Sequence, residues 1–378
     1  MRFPEFTGEW EKYRNETLFQ TISEKNKDKS ITKILSASQQ QGMVERDSLG
    51  LDIKFDYDSI SSYKIVRKGD YVIHLRSFQG GFAFSEQIGV CSPAYTILRP
   101  SPMISYGFLK YHFVSNKFID ALRIVTYGIR DGRSISVEEW LKLYTSLPKA
   151  EEQNKIIQFL NLIDKRIATQ IRVIDKLESL IKGITQKVCS NAEQKVMLTD
   201  VLVERDEKNT ENNDVYSVSV TEGVINQIDY LGRSFAAKET KNYNVVHYGD
   251  IVYTKSPTGA FPYGIVKQSY IASNVAVSPL YGVYKPINFN TGFYLHQYFT
   301  SPIYTTNYLH KLIQKGAKNT INITNQRFLE NYVPFPSTGV LIKYVDIVSA
   351  INKKLAVEKQ ILYKLKEQKN YLLSQMFI

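Results

Sequence analysis

Cysteine is scarce in this sequence of 378 residues, which contains only Cys91 and Cys189. Two cysteines are too few for a disulfide framework or a cysteine-based zinc site, and they fit a reducing compartment. The five histidines show no His-x-x-x-His spacing and no glutamate neighbour that would suggest a ligand pair. The sequence therefore predicts no metal site, and each histidine is interpreted as a packing or surface residue.

Long apolar runs are also missing. The longest nearly apolar stretches are far shorter than the roughly 20 residues that a membrane-spanning helix requires. The opening residues, MRFPEFTGEW, do not combine a basic segment with an apolar one. We therefore expect neither membrane insertion nor secretion, and a cytoplasmic location is the default expectation.

The common catalytic and nucleotide-binding motifs are absent as well. The sequence has no Gly-x-x-x-x-Gly-Lys-Ser/Thr loop, no Gly-x-Gly-x-x-Gly after a strand and no Gly-x-Ser-x-Gly elbow. It contains no Pro-Pro pair, which excludes the Asn/Asp-Pro-Pro-aromatic tetrad of amino-methylating enzymes. The sequence thus favours a binding protein. An enzyme with an unrecognised active site, such as a nuclease, and a protein-binding coiled-coil scaffold are the alternatives.

Positive charge is in excess, with 48 Lys and Arg against 37 Asp and Glu and a net charge of +11. Such an excess favours a polyanionic partner, because it attracts nucleic-acid phosphate independently of base sequence. The 26 tyrosines and 19 phenylalanines fit a strand-rich fold. Composition therefore points to a folded protein that binds DNA or RNA.

The second half of the sequence repeats the first. YKIVRKGDYV from Tyr63 returns as YNVVHYGDIV from Tyr243, and CSPAYTILRP from Cys91 returns as VSPLYGVYKP from Val277. Each copy alternates β-rich runs with helical patterns, so we predict a duplicated, mixed α/β (α+β) domain. In the first copy the predicted elements are strands at 31–38, on both sides of a Gly-Asp turn within 63–75, and at 90–98, with a helix at 106–124.

A long amphipathic helix follows each copy. Its apolar residues return with an alternating four-then-three spacing, which is typical of a coiled-coil seam. The seam residues are Leu160, Ile163, Ile167, Ile174, Leu177 and Ile181 in the first helix and Val348, Ile351, Leu355, Leu362 and Leu365 in the second. We predict that the two helices pair with each other. The alternatives are packing of each stripe on its own globule and formation of a homodimer.

These features divide the chain into four parts. They are a first globular domain (1–147), a first long helix (148–190), a second globular domain (191–336) and a second long helix (337–378). A helix of about 38 residues spans roughly 57 Å, which is enough to hold two globules apart. If the helices pair antiparallel, the globules emerge at opposite ends.

Basic loops stand at matching positions in the two copies. Arginine and lysine can contact phosphate or the edge of guanine, and glutamine or asparagine can read adenine. We therefore predict DNA contacts in two pairs of loops, against the alternative that these are solvated turn residues. The candidates are Arg76 and Gln79, Lys255 and Thr258, Arg130 and Arg133, and Lys318 and Asn319.

This organisation resembles the specificity subunits of type I restriction-modification systems. The resemblance is carried by the twofold order of globule and long helix, by LPKAEEQNKI from Leu147 at the start of the first helix and by IDKRIATQIRVIDKLESLIKGITQKV from Ile163. FPEFTGEW near the first residue and the KGD and SPxY elements also look like that family. The match extends over essentially the whole chain.

The resemblance implies a non-catalytic subunit in which two target-recognition domains each read one half of a bipartite, asymmetric site in double-stranded DNA. The antiparallel helix pair would set the spacing of the half-sites and dock two methyltransferase subunits. The full complex would also contain restriction (translocase) subunits. S-adenosylmethionine, ATP and Mg²⁺ would belong to the partner subunits, with no cofactor and no membrane association in this chain.

The two long helices differ at their N-terminal ends. The first helix begins with the acidic and polar residues Glu151, Glu152 and Gln153, whereas the second opens FPSTGVLIKY from Phe335 and lacks them. Acidic residues in a first turn interact favourably with the positive end of the helix dipole. We predict that this triplet forms a partner-docking point that is present on only one of the two helices.

Overall fold

The computed structural model describes residues 2–38, 41–49, 57–74, 81–127, 134–233, 239–315 and 321–377. The chain forms two compact units. Unit 1 comprises Met1–Ile171 with Gln360–Ile378, and unit 2 comprises Arg172–Lys359. Each unit thus contains one globule and a part of both long helices.

Unit 1 opens with a short strand and helix before its central strands. Its elements are β1 (Glu11–Arg14), α1 (Asn15–Leu18), β2 (Phe19–Ile22), β3 (Leu35–Ser38), β4 (Gly42–Glu45), 3-10 turns at Arg46–Leu49 and Tyr57–Ser62, β5 (Lys64–Val66), β6 (Tyr71–Ile73), β7 (Phe82–Phe84), β8 (Gly89–Cys91), β9 (Thr96–Pro100), α2 (Phe108–His112), α3 (Asn116–Ala121), a 3-10 turn at Leu122–Val125, β10 (Thr126–Tyr127), β11 (Ser134–Ile135), α4 (Val137–Lys142) and β12 (Tyr144–Leu147). The long helix α5 (Ala150–Ser190) then runs into unit 2.

Unit 2 follows the same order. Its elements are β13 (Gln194–Met197), α6 (Leu198–Val201), β14 (Leu202–Glu204), β15 (Tyr216–Ser219), β16 (Gly223–Asn226), α7 (Gln227–Leu231), β17 (Asn244–Val246), β18 (Ile251–Thr254), β19 (Ile265–Gln268), β20 (Val275–Val277), β21 (Gly282–Pro286), α8 (Phe289–Phe299), α9 (Pro302–His310), β22 (Gln314–Lys315), β23 (Ile321–Asn322), α10 (Asn325–Phe328) and β24 (Tyr332–Phe335). The second long helix, α11 (Thr338–Met376), returns into unit 1.

The strand order confirms the predicted duplication. Unit 1 has a four-stranded antiparallel sheet in the order β2-β9-β6-β7, and unit 2 has the corresponding sheet β14-β21-β18-β19. The two-stranded pairs also correspond: β1-β12 with β13-β24, β3-β4 with β15-β16, β5-β8 with β17-β20 and β10-β11 with β22-β23. One sequence pattern therefore specifies one topology twice.

Aromatic side chains fill the core of each unit differently. In unit 1, Trp140 lies 4.9 Å from Phe82 and 5.4 Å from Phe19, measured between ring centroids. In unit 2, Phe328 stacks on both Tyr253 and Tyr284, at 4.6 and 4.9 Å. Such ring pairs add about 0.5–1.5 kcal/mol each beyond the burial of their area. The two cores therefore place different aromatic side chains on one topology.

The two long helices pair within each unit, as predicted. In unit 1, Leu160 of α5 belongs to the same core as Leu372 of α11, and in unit 2, Ile181 belongs to the same core as Val348. The seam predicted from the sequence consists of buried or half-buried side chains throughout. A narrow apolar stripe cannot be buried by its own helix, and here the partner helix and the adjacent globule cover it together.

Polar contacts beside the seam give the direction of pairing inside each unit. In unit 2, Glu178 pairs with Lys359 at 2.8 Å, while Thr185, farther along α5, bonds Tyr344, which is earlier on α11. In unit 1, the N-terminal half of α5 meets the C-terminal end of α11, where Lys369 bonds Asp164 at 2.5 Å. The helices are therefore antiparallel in both units.

Two local predictions were wrong. The helix expected at 106–124 is two short helices, because Ser115 caps a new start and its Oγ accepts a hydrogen bond from Phe118 N at 3.3 Å. The strand expected at 90–98 is divided into β8 and β9 by a turn, in which Tyr95 N bonds Ser92 O at 3.1 Å. At both breaks a serine Oγ accepts a hydrogen bond from the backbone, at Ser115 from Phe118 N and at Ser92 from Ala94 N, the latter at 3.3 Å.

Burial determines the protonation state of two histidines. It lowers the pKa of His112 to about 4 and the pKa of His296 to about 3. His112 packs among the rings of Phe113, Phe118 and Phe377, and Nδ1 of His296 accepts a hydrogen bond from Gln268 N at 2.9 Å. Both histidines are thus neutral packing residues near neutral pH.

Two kinds of feature are absent from the described residues. No helix there is both long and apolar enough to cross a bilayer. No group of three or more His, Cys, Asp or Glu side chains in that part of the chain could hold a metal ion.

Candidate nucleic-acid interface

Most of the predicted DNA contacts lie in connections between described strands. Arg76 and Gln79 fall between β6 and β7, Arg130 and Arg133 between β10 and β11, and Lys318 and Asn319 between β22 and β23; all six lie outside the described residues. The ends of the first connection are joined, because His74 N donates to Gly81 O at 2.9 Å. The candidate loops therefore follow hairpin strands whose pairing is established.

Lys255 and Thr258 lie together in the loop between β18 and β19. Thr258 and Phe261 exchange two backbone hydrogen bonds, at 3.0 and 2.9 Å, and the buried Phe261 ring anchors the loop. Gly264 closes it with φ +102, and an added Cβ there would lie 1.8 Å from Thr254 O. Residues 256–260 are exposed at the tip. The loop is thus a fixed projection at the end of a central strand.

Burial and a neighbouring carboxylate have opposite effects on the pKa of Lys255. Its side chain is half-buried, and this burial lowers the pKa of the ammonium, while Glu204 raises it. Glu204 itself accepts a hydrogen bond from Asn325 Nδ2 at 2.8 Å. A partly desolvated ammonium at the base of an exposed loop would be stabilised by an approaching phosphate or guanine edge.

The two Gly-Asp turns repeat a buried carboxylate whose partners were not predicted from the sequence. Asp70 is 2% exposed; its carboxylate accepts from Arg67 N at 2.8 Å and from Arg99 at 3.0 and 3.1 Å. The preceding Gly69 has φ +97, which glycine adopts at no steric cost. Hydrogen bonding to Asp70 raises the pKa of Arg99. The Gly-Asp turn of unit 1 is therefore fixed by an ion pair to the neighbouring strand β9.

In unit 2 the aspartate of the Gly-Asp turn also binds an arginine, but this arginine comes from a different part of the sheet. Asp250 accepts from His247 N at 2.8 Å and from Arg205 at 2.7 and 3.0 Å. Arg205 follows β14, whereas Arg99 belongs to β9, which corresponds to β21. The KGD and YGD copies carried a sequence signal for the carboxylate, but no local pattern identifies which strand supplies the guanidinium.

The start of α5 differs from the predicted docking point. Glu152 is 1% exposed and accepts from Arg2 Nε at 2.6 Å and Nη2 at 2.5 Å and from Trp10 Nε1 at 3.3 Å. Gln153 is equally buried: Ser105 N donates to its Oε1 at 2.8 Å, and its Nε2 donates to Met103 O at 3.0 Å. Only Glu151 is exposed.

The prediction for this triplet must therefore be corrected. Glu152 and Gln153 hold the N-terminal segment and the residues before α2 against the start of α5, and a partner cannot reach their side chains in this arrangement. A dipole argument from sequence identifies a favourable charge at a helix start, but tertiary contacts decide whether that charge is exposed. Glu151 alone remains a candidate for docking.

Comparisons with known proteins identify the architecture. No protein-family model matches the sequence, and no curated protein matches it. Several solved structures match nearly the whole chain, among them two at 14% identity. The S subunit of a type I restriction-modification system from M. genitalium aligns over 100% of this chain and 99% of its own length, with a TM-score of 0.58. The second structure describes complex assembly and conformational transition of the type I restriction-modification system. One of its chains aligns over 98% of this chain and 98% of its own length, with a TM-score of 0.53. The fold of this protein is that of a type I restriction-modification S subunit.

Proposed function

We propose that this chain is the DNA sequence-specificity subunit of a type I restriction-modification complex. The observation that carries the proposal is a whole chain built as two copies of one α/β unit on a pair of antiparallel helices, in the fold of an S subunit. The net charge of +11 supports a polyanionic ligand. Two related but diverged units fit two different half-sites, and hence a bipartite, asymmetric target.

In this proposal each unit reads one half-site with its basic loops. The fixed loop with Lys255 and Thr258 serves unit 2 together with Lys318 and Asn319, and the equivalent loops serve unit 1. Phosphate contacts supply affinity that depends on salt, whereas contacts to base edges supply selectivity. The chain itself reads DNA and carries out no chemistry. S-adenosylmethionine, ATP and Mg²⁺ act on partner subunits of a cytoplasmic complex.

The helices serve in the proposal as a spacer and as the dock for two methyltransferase subunits. Exposed aliphatic side chains support docking, because an amphipathic helix that is already paired normally leaves polar residues outside. In unit 2 these side chains are Leu180 of α5 and Val340, Ile342, Ile347 and Val357 of α11, and in unit 1 Leu162 of α5 is the most exposed. Glu151 adds a charge near the start of α5.

Variants of the two units are expected to relax different halves of the target. In the complex with methyltransferase subunits, Lys255→Ala and Lys318→Ala should weaken discrimination at one half-site, and Arg130→Ala at the other. Loss of one base contact costs about 1–3 kcal/mol of discrimination, or roughly 5- to 150-fold in the ratio of correct to incorrect sites. Methylation rates on DNA substituted one position at a time measure this ratio.

Lys241→Ala is the matched control, since Lys241 is exposed and lies outside the predicted loops. It should leave selectivity at both half-sites unchanged. If the native side chain instead contacts phosphate, its replacement by alanine will flatten the salt dependence of affinity without altering selectivity. Unchanged selectivity and unchanged salt dependence in all three loop variants would remove these loops from the interface.

A further inference from the structure

A cleft of about 660 Å³ opens beside the Gly-Asp turn of unit 1. The turn and the segment before α2 form its walls. Its charged lining consists of Glu24, Arg67, Lys68, Asp70 and Arg99, and Tyr106 forms an aromatic side. The turn precedes β6, whereas the loop with Arg76 and Gln79 follows β6. The cleft therefore lies at the other end of this strand from the candidate base-reading loop.

The two carboxylates in the cleft are already engaged. Asp70 is buried and binds Arg99 and the backbone of Arg67. Glu24 accepts from Arg67 Nη2, at 2.8 and 3.2 Å. Each carboxylate is thus neutralised by an arginine, and Lys68 remains as the surplus positive charge of the cleft.

Lys68 is exposed and pairs with no carboxylate among the described residues. Its ammonium lies over the ring of Tyr106, 5.5 Å from the centroid, which orients the charge without neutralising it. Arg99 is 35% exposed and binds Asp70 through Nε and Nη2, so that Nη1 has no hydrogen-bond acceptor in the described part of the chain. Two cationic donors therefore face one opening.

The Tyr106 ring completes the cleft. It is 52% exposed and lies against Gly69, where an added Cβ would be 3.6 Å from the ring. A half-exposed aromatic face next to two cations suits a ligand that combines negative charge with a planar base, because bases stack on aromatic side chains with about 1–3 kcal/mol each.

The corresponding surface of unit 2 lacks the surplus charge. Phe289 covers Gly249 as Tyr106 covers Gly69, and Tyr248 stands where Lys68 stands, stacked on Phe289 at 5.5 Å and 7°. Arg205 pairs with both Asp250 and Glu207. The repeat thus preserves the turn and its aromatic cover, while the surplus lysine belongs to unit 1 alone.

We propose that this cleft of unit 1 binds a phosphoryl group, with Lys68 Nζ and Arg99 Nη1 as donors and Tyr106 beside them for a base. The phosphoryl group belongs either to the DNA backbone outside the bases that are read or to a free nucleotide. The site does not depend on the assignment of the base-reading loops, so failure of the half-site test leaves it standing.

Lys68→Ala in the purified full chain tests the proposal with two probes. Affinity for a short duplex without the target sequence is measured over a range of salt, and binding of ADP is measured by equilibrium dialysis without DNA. Loss of one phosphate contact should reduce the slope of log affinity against log salt by about 1. Loss of a charge-assisted contact to ADP should weaken its binding about tenfold.

Lys12→Ala is the control, because Lys12 is an exposed lysine on β1 and lies outside the cleft. A reduced slope with no ADP binding assigns the phosphoryl group to DNA. Weakened ADP binding with an unchanged slope assigns it to a free nucleotide. If Lys68→Ala changes neither quantity, or if Lys12→Ala changes the same quantity equally, the proposal is wrong. Thermal unfolding of both variants verifies that they are folded.

Discussion

Asp250→Ala is expected to lower the free energy of unfolding by about 3 kcal/mol, the lower end for a broken buried ion pair, because Arg205 then keeps only its more exposed partner Glu207. The carboxylate is 2% exposed and joins Arg205 to the backbone of His247. Its removal takes from Arg205 the two shorter of its hydrogen bonds, leaving the bond to Glu207, and takes from the His247 N–H its acceptor. Chemical denaturation of the full chain, followed by a probe of unit 2, measures the loss.

Two further variants separate charge from geometry at this site. Asp250→Asn retains an acceptor for His247 N but loses the ion pair, so we expect an intermediate loss. Glu211→Ala removes an exposed carboxylate from the same unit and should change stability by less than about 0.5 kcal/mol. A loss below about 1 kcal/mol for Asp250→Ala would mean that the ion pair at the Gly-Asp turn is not a main support of the unit.

Lengthening both long helices by one heptad is expected to abolish methylation at the original target and to create a target with a longer spacer. The insertions are made between Ile171 and Arg172 in α5 and between Lys359 and Gln360 in α11, where the chain passes from one unit to the other. Seven residues preserve the spacing of the seam. They add about 10.5 Å at about 1.5 Å per residue.

If the helices set the distance between half-sites, that length corresponds to about 3 base pairs at about 3.4 Å each. The spacer is read from methylation of DNA libraries in which only the spacer length varies. The same heptad inserted at the exposed turn residue Asn212 should leave the spacer unchanged. An unaltered spacer in a folded double-helix variant would remove the spacer role from α5 and α11.

The long helices and the duplication could be predicted because both are encoded by regular patterns. The stripe from Leu160 to Ile181 has a period that only a helix satisfies, and its copy at Val348 to Leu365 supplied a partner for it. Observed α5 begins at Ala150 and ends at Ser190, close to the predicted limits. Repetition in one chain thus provided the long-range information that a single pattern lacks.

The functional side chains were harder to predict because their roles depend on contacts between distant residues. The sequence predicted Glu152 as an exposed acidic residue at a helix start, but Arg2 and Trp10 bind and bury its carboxylate. Arg99 and Arg205 both bind the aspartate of a Gly-Asp turn, but they occupy positions that do not correspond in the two copies, so alignment of the copies does not pair them. Lys68 is the surplus positive charge of its cleft only because both neighbouring carboxylates are bound by arginines. Local sequence carries none of this information.

The proposed function is tested most directly by mapping methylated adenines across a genome with and without this chain. With the chain present, methylation should fall on one asymmetric sequence in two parts, separated by a spacer of fixed length. Without the chain, methylation of that sequence should disappear while other methylated sites remain. Methylation that is identical in the two genomes would contradict the assignment of this chain as the subunit that selects the DNA target.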